Sequence, residues 1–217
     1  PYRHVGVSKH LTELRLAQNI ANGGGPDYYV IGTLEGQNDR TAECAITGMF
    51  NYYKDNEKLY AGSRPAARVA LMAHNRWSRE YQGLFRMLTE EHILFHVLNP
   101  EAVRKTPSLL SKCDLAILPG DVYIDEDIAR IYDEYVKNGG KLLATQRVLS
   151  DTLDTSEAPC ALESLGVEEI VFASDDTRSA YFEITPAEVF KGFEDLDLCF
   201  LDGWYYYTKL APSAKGL

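Results

Sequence analysis

The chain has 217 residues, 45% of them hydrophobic and 25% charged, a composition that supports a substantial core without disulfides or metal. A formal net charge of −10, with no cluster of Lys and Arg, argues against nucleic acid and against an anionic membrane surface, since both attract basic patches. No apolar run approaches the ~20 residues that span a bilayer, so no membrane partner is expected.

The first element is a helix. "LTELRLAQNIAN" sets Leu11, Leu14, Ala17 and Ala21 at helical spacing with Ile20 beside them, and Asn22-Gly23-Gly24-Gly25 stops it. "PDYYVIGT" predicts one short buried strand over 28–31, "LEGQNDRT" a polar loop, and "AITGMFNYY" the apolar part of a helix over 42–56. One strand cannot make a sheet. This section is therefore either an edge of the main domain or the tail of a larger domain upstream, and an opening on Pro1 rather than Met suggests a piece of a longer protein. Arg64-Pro65 marks the boundary, giving segments 1–64 and 65–217.

Beyond it, "ARVALMAHN" predicts a strand over 68–74, followed by the amphipathic helix "SREYQGLFRMLTEEH" with Ser78 as N-cap and Tyr81, Leu84, Phe85 and Leu88 on one face. "ILFHVLN" is a second strand, "TPSLLSKC" a short helical turn and "DLAILPGD" a third strand. "DEDIARIYDEYVKNGG" is a helix with Ile128, Ile131, Tyr132 and Tyr135 inward and Gly139-Gly140 as its stop, and "KLLATQ" is the fourth strand. Continuous apolar runs separated by amphipathic helices predict a parallel sheet covered on both faces. The expected order is 2-1-3-4, a doubly wound, flavodoxin-like α/β fold. "APCALESLGV" then reads as a helix ending at Gly166, and "EEIVFAS", "AYFEITP" and "LCFLDGWYYYTKL" as strands, the last two an antiparallel extension.

Ligands of such sheets bind outside the carboxyl ends of the strands. The loops there are "AHNRWS", "NPEAVRK", "PGDVYID" and "TQRVLSD"; none carries a glycine-rich phosphate fingerprint, so no nucleotide and no other cofactor is expected. Cys44, Cys113, Cys160 and Cys199 form no CxxC pair and read as free thiols of a reducing, cytoplasmic compartment, unless an upstream signal peptide directs secretion. His92 and His96 have metal-like spacing, but "HILFH" has strand character and the pair does not converge, so no metal is expected. Asp125, Glu126 and Asp127 suit a helix N-terminus, and Asp175-Asp176 a turn. Trp77 either stacks on a sugar or partner or is buried against a neighbouring domain. The tyrosine clusters (Tyr52, Tyr53 and Tyr60; Tyr205 to Tyr207 beside Trp204) either pack an interface or line a sugar site.

The order of elements from Arg68 to about Val167, with "DLAILPGDVYIDEDIARIYDEYVKNGGKLLAT" as its most specific part, resembles the class I glutamine amidotransferase-like fold. That resemblance implies a cysteine at the elbow after "KLLAT", with a histidine and an acidic residue further on. Here the elbow holds Thr145 and Gln146, and no histidine follows His96, so a Cys–His pair cannot be assembled there. "YAGSRPAARVALMAHNRWS" and "LESLGVEE" followed by "AYFEITP" extend the likeness to a non-catalytic branch, the β-galactosidase trimerisation domain of glycoside hydrolase family 42 and its relatives. The resemblance implies that residues 1–64 end a (β/α)8 barrel, with 28–33 as its last strand, and that the two catalytic carboxylates lie upstream of Pro1. It also implies a carbohydrate substrate bound by the parent barrel and a homo-oligomer, a trimer in the family. This chain alone would then be no enzyme. Glu35, Gln37, Asn38, Asp39 and Arg40 would sit on the barrel rim, where they contact a sugar or form a solvated loop with a helix cap.

Overall fold

The computed structural model describes residues 7–151, 160–174, 180–183, 191–193, 195–196, 198–201 and 205–216. The chain divides into two compact units, Pro1–Ala66 and Ala67–Leu217.

The first unit contains helices α1 (Lys9–Ala21), α2 (Glu43–Asp55) and α3 (Glu57–Tyr60). Helix α1 stops where predicted: Gly23, at φ 82°, and Gly24 donate to Ile20 and Asn19 carbonyls at 3.0 and 2.9 Å. Its inward stripe differs from the expected one. Thr12, Leu16 and Ile20, four residues apart, are buried, whereas Leu11 and Leu14 are exposed. The helix is apolar on two sides, and packing against α2 selects one of them. Tyr52 and Tyr60 bond through their hydroxyls at 2.8 Å and Tyr53 stacks on Tyr60, which ties α2 to α3. No strand forms over 28–31, and Tyr29 is 83% exposed. A strand needs a hydrogen-bonded neighbour, and the described residues of this unit supply none.

The second unit is built on four parallel strands, β1 (Val69–Met72), β2 (Phe95–Leu98), β3 (Leu115–Leu118) and β5 (Lys141–Ala144), in the order β2-β1-β3-β5. This is the order expected for the four core strands. In the two central strands alternate side chains feed opposite layers. Ala70, Met72, Ala116 and Leu118 join Val103, Leu110, Ile128, Tyr132 and Tyr135 on one face. Leu71 and Ile117 join Tyr81 and Leu88 of α4 (Arg79–Glu90) on the other. Burial on both sides is why these strands read as unbroken apolar runs.

Sequence-encoded caps fix the helices. Ser78 Oγ accepts from Tyr81 N at 3.1 Å, Asn99 Oδ1 from Glu101 N at 2.8 Å and Asp125 Oδ1 from Ile128 N at 3.0 Å. These begin α4, α5 (Pro100–Lys105) and α6 (Glu126–Lys137). Gly139, at φ 95°, and Gly140 end α6 by donating to Val136 and Tyr135 carbonyls at 2.9 and 3.0 Å. His92, at φ 55°, closes α4 in the same manner: it donates to the Thr89 carbonyl and Ile93 to that of Leu88.

Several short elements depart from expectation. "NPEAVRK", read as a loop, contains α5. The loops after β3 and β5 contain β4 (Val122–Ile124) and β6 (Val148–Ser150), which pair in parallel. Three residues are too few to show a period. The helix expected in "APCALESLGV" is a single 3-10 turn, Glu163–Leu165, closed by Gly166 at φ 66°; Cys160 instead bridges to Leu149. The long final strand is two: β9 (Leu198–Leu201) pairs antiparallel with β8 (Ala180–Glu183), and β10 (Tyr205–Leu210) with β7 (Val167–Ser174). Asp175, Asp176 and Trp204 lie outside the described residues.

Candidate functional site

The carboxyl edge of the sheet is where this topology places a ligand. After β5 the chain presents Thr145, Gln146 and Arg147. The Thr145 hydroxyl accepts a hydrogen bond from Gly120 N at 2.8 Å. Gly120 takes φ 75°, a conformation that suits a residue without Cβ, and so turns the chain after β3 toward that hydroxyl. Arg147 grips Asp121 through Nε at 3.2 Å and Nη2 at 2.6 Å, and its backbone N–H donates to the same carboxylate at 3.2 Å. The guanidinium lies 5.0 Å from the centre of the Tyr206 ring, so a cation–π contact joins the ion pair to β10. Gln146 Nε2 approaches Glu80 Oε1 at 3.5 Å. The elbow positions are thus bonded into the scaffold, and none of their side chains is a thiol.

Sequence reading missed the Asp121–Arg147 pair, although a signal existed. Each residue stands three positions past the end of its strand, and the Leu118↔Ala144 register brings equal positions face to face.

At the end of β1, His74 Nε2 lies 2.8 Å from the buried Tyr132 hydroxyl. Burial pushes the imidazole down to about 4 and the phenol well above its usual range, so both are neutral at pH 7. The next turn is held by hydrogen bonds: Asn75 Oδ1 accepts from Trp77 N at 3.1 Å, and the Asn75 carbonyl accepts from Ser78 N and Oγ. It presents Trp77 at 89% exposure, so nothing within the described residues buries that indole.

The other predicted residues lie in the first unit. Asp39 accepts from Thr41 N and Oγ1 at 2.9 and 2.6 Å, and these bonds hold its carboxyl below the usual range. Arg40 makes a two-pronged bond to Glu43 in the first turn of α2. Gln37 Nε2 donates to the Ile31 and Thr33 carbonyls at 2.7 and 3.1 Å. Glu35 and Asn38 are exposed and show no hydrogen bond among the described residues. The loop brings Glu35 to Arg40 together in sequence order, whereas Trp77 belongs to the second unit.

Among the described residues no group of three or more His, Cys, Asp and Glu side chains can hold a metal ion. His92 closes a helix and His96 lies in β2, so their spacing does not make a site. Asp125 caps α6 and takes a bidentate bond from Arg104, which holds its carboxyl down at about 2.

The amino edge of the sheet carries a cleft of about 760 Å3 between α6 and the 3-10 turn Pro107–Lys112. Its floor includes Leu110, Cys113 and Tyr135, all buried. Burial raises the Cys113 thiol, which favours the unreactive protonated form. Tyr135 donates to the Cys113 carbonyl at 3.2 Å, and its ring lies directly over Gly140.

No protein-family model matches the chain, and no curated protein matches it either. Solved structures do. An α-L-fucosidase, isoenzyme 2, from Paenibacillus thiaminolyticus superposes with a TM-score of 0.62 at 20% identity, over 94% of this chain and 30% of the fucosidase. A β-galactosidase from Bacillus circulans sp. alkalophilus superposes with a TM-score of 0.56 at 11% identity, over 82% of this chain and 28% of that enzyme. At these identities the likeness is one of fold. The chain spans less than a third of the length of either enzyme.

Proposed function

We propose that this chain is a non-catalytic, assembly-type domain of a glycoside hydrolase, related to the β-galactosidase trimerisation domain. The observation that carries the reading is the elbow: where an amidotransferase-like fold keeps its nucleophile, Thr145 and Arg147 brace the scaffold through Gly120, Asp121 and Tyr206. The fold recurs as a minor part of two larger glycosidases, which supports a carbohydrate-processing parent. In this reading 1–64 close a (β/α)8 barrel, and 28–33 become its last strand by pairing with strands upstream. The exposed Leu11, Leu14 and Tyr29 then face barrel partners. The catalytic carboxylates belong to that barrel, about 5 Å apart if the parent retains configuration. Glu35, Asn38, Asp39 and Arg40 stand on its rim, and residues 65–217 assemble copies into a homo-oligomer, a trimer by family resemblance. Exposed Tyr181, Leu198 and Phe200 on the β8–β9 pair supply apolar contact area for that purpose.

Light scattering on the intact parent tests the assembly role: a multiple of the subunit mass is expected, and a single-subunit mass at micromolar concentration overturns it. Aryl-glycoside hydrolysis by the parent but not by this chain is the matching activity result, and hydrolysis by the chain alone refutes the non-catalytic reading.

A second reading, a stand-alone sugar-binding module, is favoured by Trp77, an indole held open on a braced turn. Under that reading sugars raise the melting temperature of the chain and Trp77→Ala abolishes the rise.

A further inference from the structure

We infer that the amino-edge cleft between α6 and the Pro107–Lys112 turn is a binding site for a neutral, polyhydroxylated small molecule of sugar type. Its volume, about 760 Å3, falls within the ~300–1,000 Å3 of small-molecule sites. It combines an apolar floor with a polar rim, as such sites do. Leu110, Ile131 and the Tyr135 ring form the floor, which suits the C–H face of a sugar ring.

Charge decides the class. The two cations that line the cleft, Arg104 and Arg130, are already paired. Arg104 is bound by Asp125 and Glu101, and Arg130 by Asp127 at 2.7 Å. Asp114 is in turn bound by Arg68. Among the residues that line the cleft an anion would find no unpaired cation and would meet Glu134, whose carboxylate is held only by Asn138 Nδ2 at 2.9 Å. Lys112 and Lys141 flank the cleft but are exposed, so their pull on an anion is screened. Glu134 is exposed, so its pull on a cation is screened and small.

What remains open to a ligand is hydrogen-bonding capacity rather than charge. Glu134 keeps a free oxygen and Asn138 its amide oxygen. The Ser111 hydroxyl, which donates to the Ser108 carbonyl at 2.8 Å, can still accept. An acceptor-rich rim over an apolar floor is matched by a ligand that carries several hydroxyl donors and no net charge. The site lies at the opposite end of the strands from the loops that hold Trp77 and Arg147, since Asp114 and Gly140 immediately precede β3 and β5. It is independent of the assembly role proposed above.

The test is a methyl-detected NMR titration of the chain with galactose and lactose at millimolar concentrations. Tetramethylammonium and inorganic phosphate serve as charged probes. The expected result is saturable shifts at Leu110 and Ile131 with the sugars alone. Shifts from galactose identify a free sugar as sufficient, and shifts from lactose alone identify a longer glycan end. Ser111→Trp, an exposed position on the rim, fills the cleft and removes the shifts. Glu134→Ala leaves the shape intact and weakens binding about fivefold, the loss of one hydrogen bond. Silence at Leu110 and Ile131 with both sugars overturns the assignment, as do stronger shifts with either charged probe or sugar binding unaffected by both variants.

Discussion

Acidification will destabilise the second unit through one side chain, His74. Its imidazole is held at about 4, against 6.5 when unburied, because it is partly buried beside Tyr132. The unfolded chain therefore takes up a proton below pH 6.5 that the folded chain refuses until about pH 4. The stabilising contribution is complete above pH 6.5 and is lost as the pH falls through that window. The slope is about 1.4 kcal/mol per pH unit for one proton, so acidification from pH 6.5 to 5 costs on the order of 2 kcal/mol, a large share of the stability of a domain. The assay is urea unfolding of the wild-type chain and of His74→Gln at several pH values. Gln keeps a hydrogen bond to the Tyr132 hydroxyl and does not titrate, so the difference between the two profiles cancels the carboxylates. The wild type should lose about 2 kcal/mol more than the variant between pH 6.5 and 5. Parallel profiles would show that the ring is solvated in the folded state and would refute the reasoning.

Gly140→Ala places a Cβ 2.3 Å from two Tyr135 ring carbons, so a loss of about 1–3 kcal/mol in urea unfolding is expected, with partial rescue in the Tyr135→Leu background. Asp125→Ala removes both the α6 cap and the acceptor for Arg104; a loss of about 1–2 kcal/mol is expected, larger than that from Asp127→Ala. Leu71→Ala, at a fully buried position between β1 and α4, should cost about 2–5 kcal/mol and lower the melting temperature.

The sheet order was legible because β1 and β3 bury both faces and therefore display unbroken runs such as "VALM" and "LAIL". The Ser78 cap was legible for a local reason, since its hydroxyl bonds to an amide three residues ahead; Asp125, legible only as part of an acidic helix start, makes the same bond. What escaped was non-local or very short. The stripe of α1 depended on which apolar side met α2. The strand at 28–31 needed a neighbour that this unit does not contain among its described residues. Arg104 reaches Asp125 across 21 positions, and Arg147 reaches Asp121 across 26, distances at which only the folded register specifies a partner. Trp77 stood out in the sequence, but its exposure could only be seen in three dimensions.

The shared offset of Asp121 and Arg147 constrains what insertions and deletions this protein can tolerate. The pairing of Leu118 with Ala144 continues without a slip into that of Val122 with Val148, so the two connectors between those points have equal length. Deleting one residue from either connector would turn buried Val122 and Ile124, or Val148, toward water and pull the arginine away from its carboxylate. Changes of length at these two places must therefore occur together, and single-codon deletion scanning should find each lethal to folding alone yet tolerated as a matched pair.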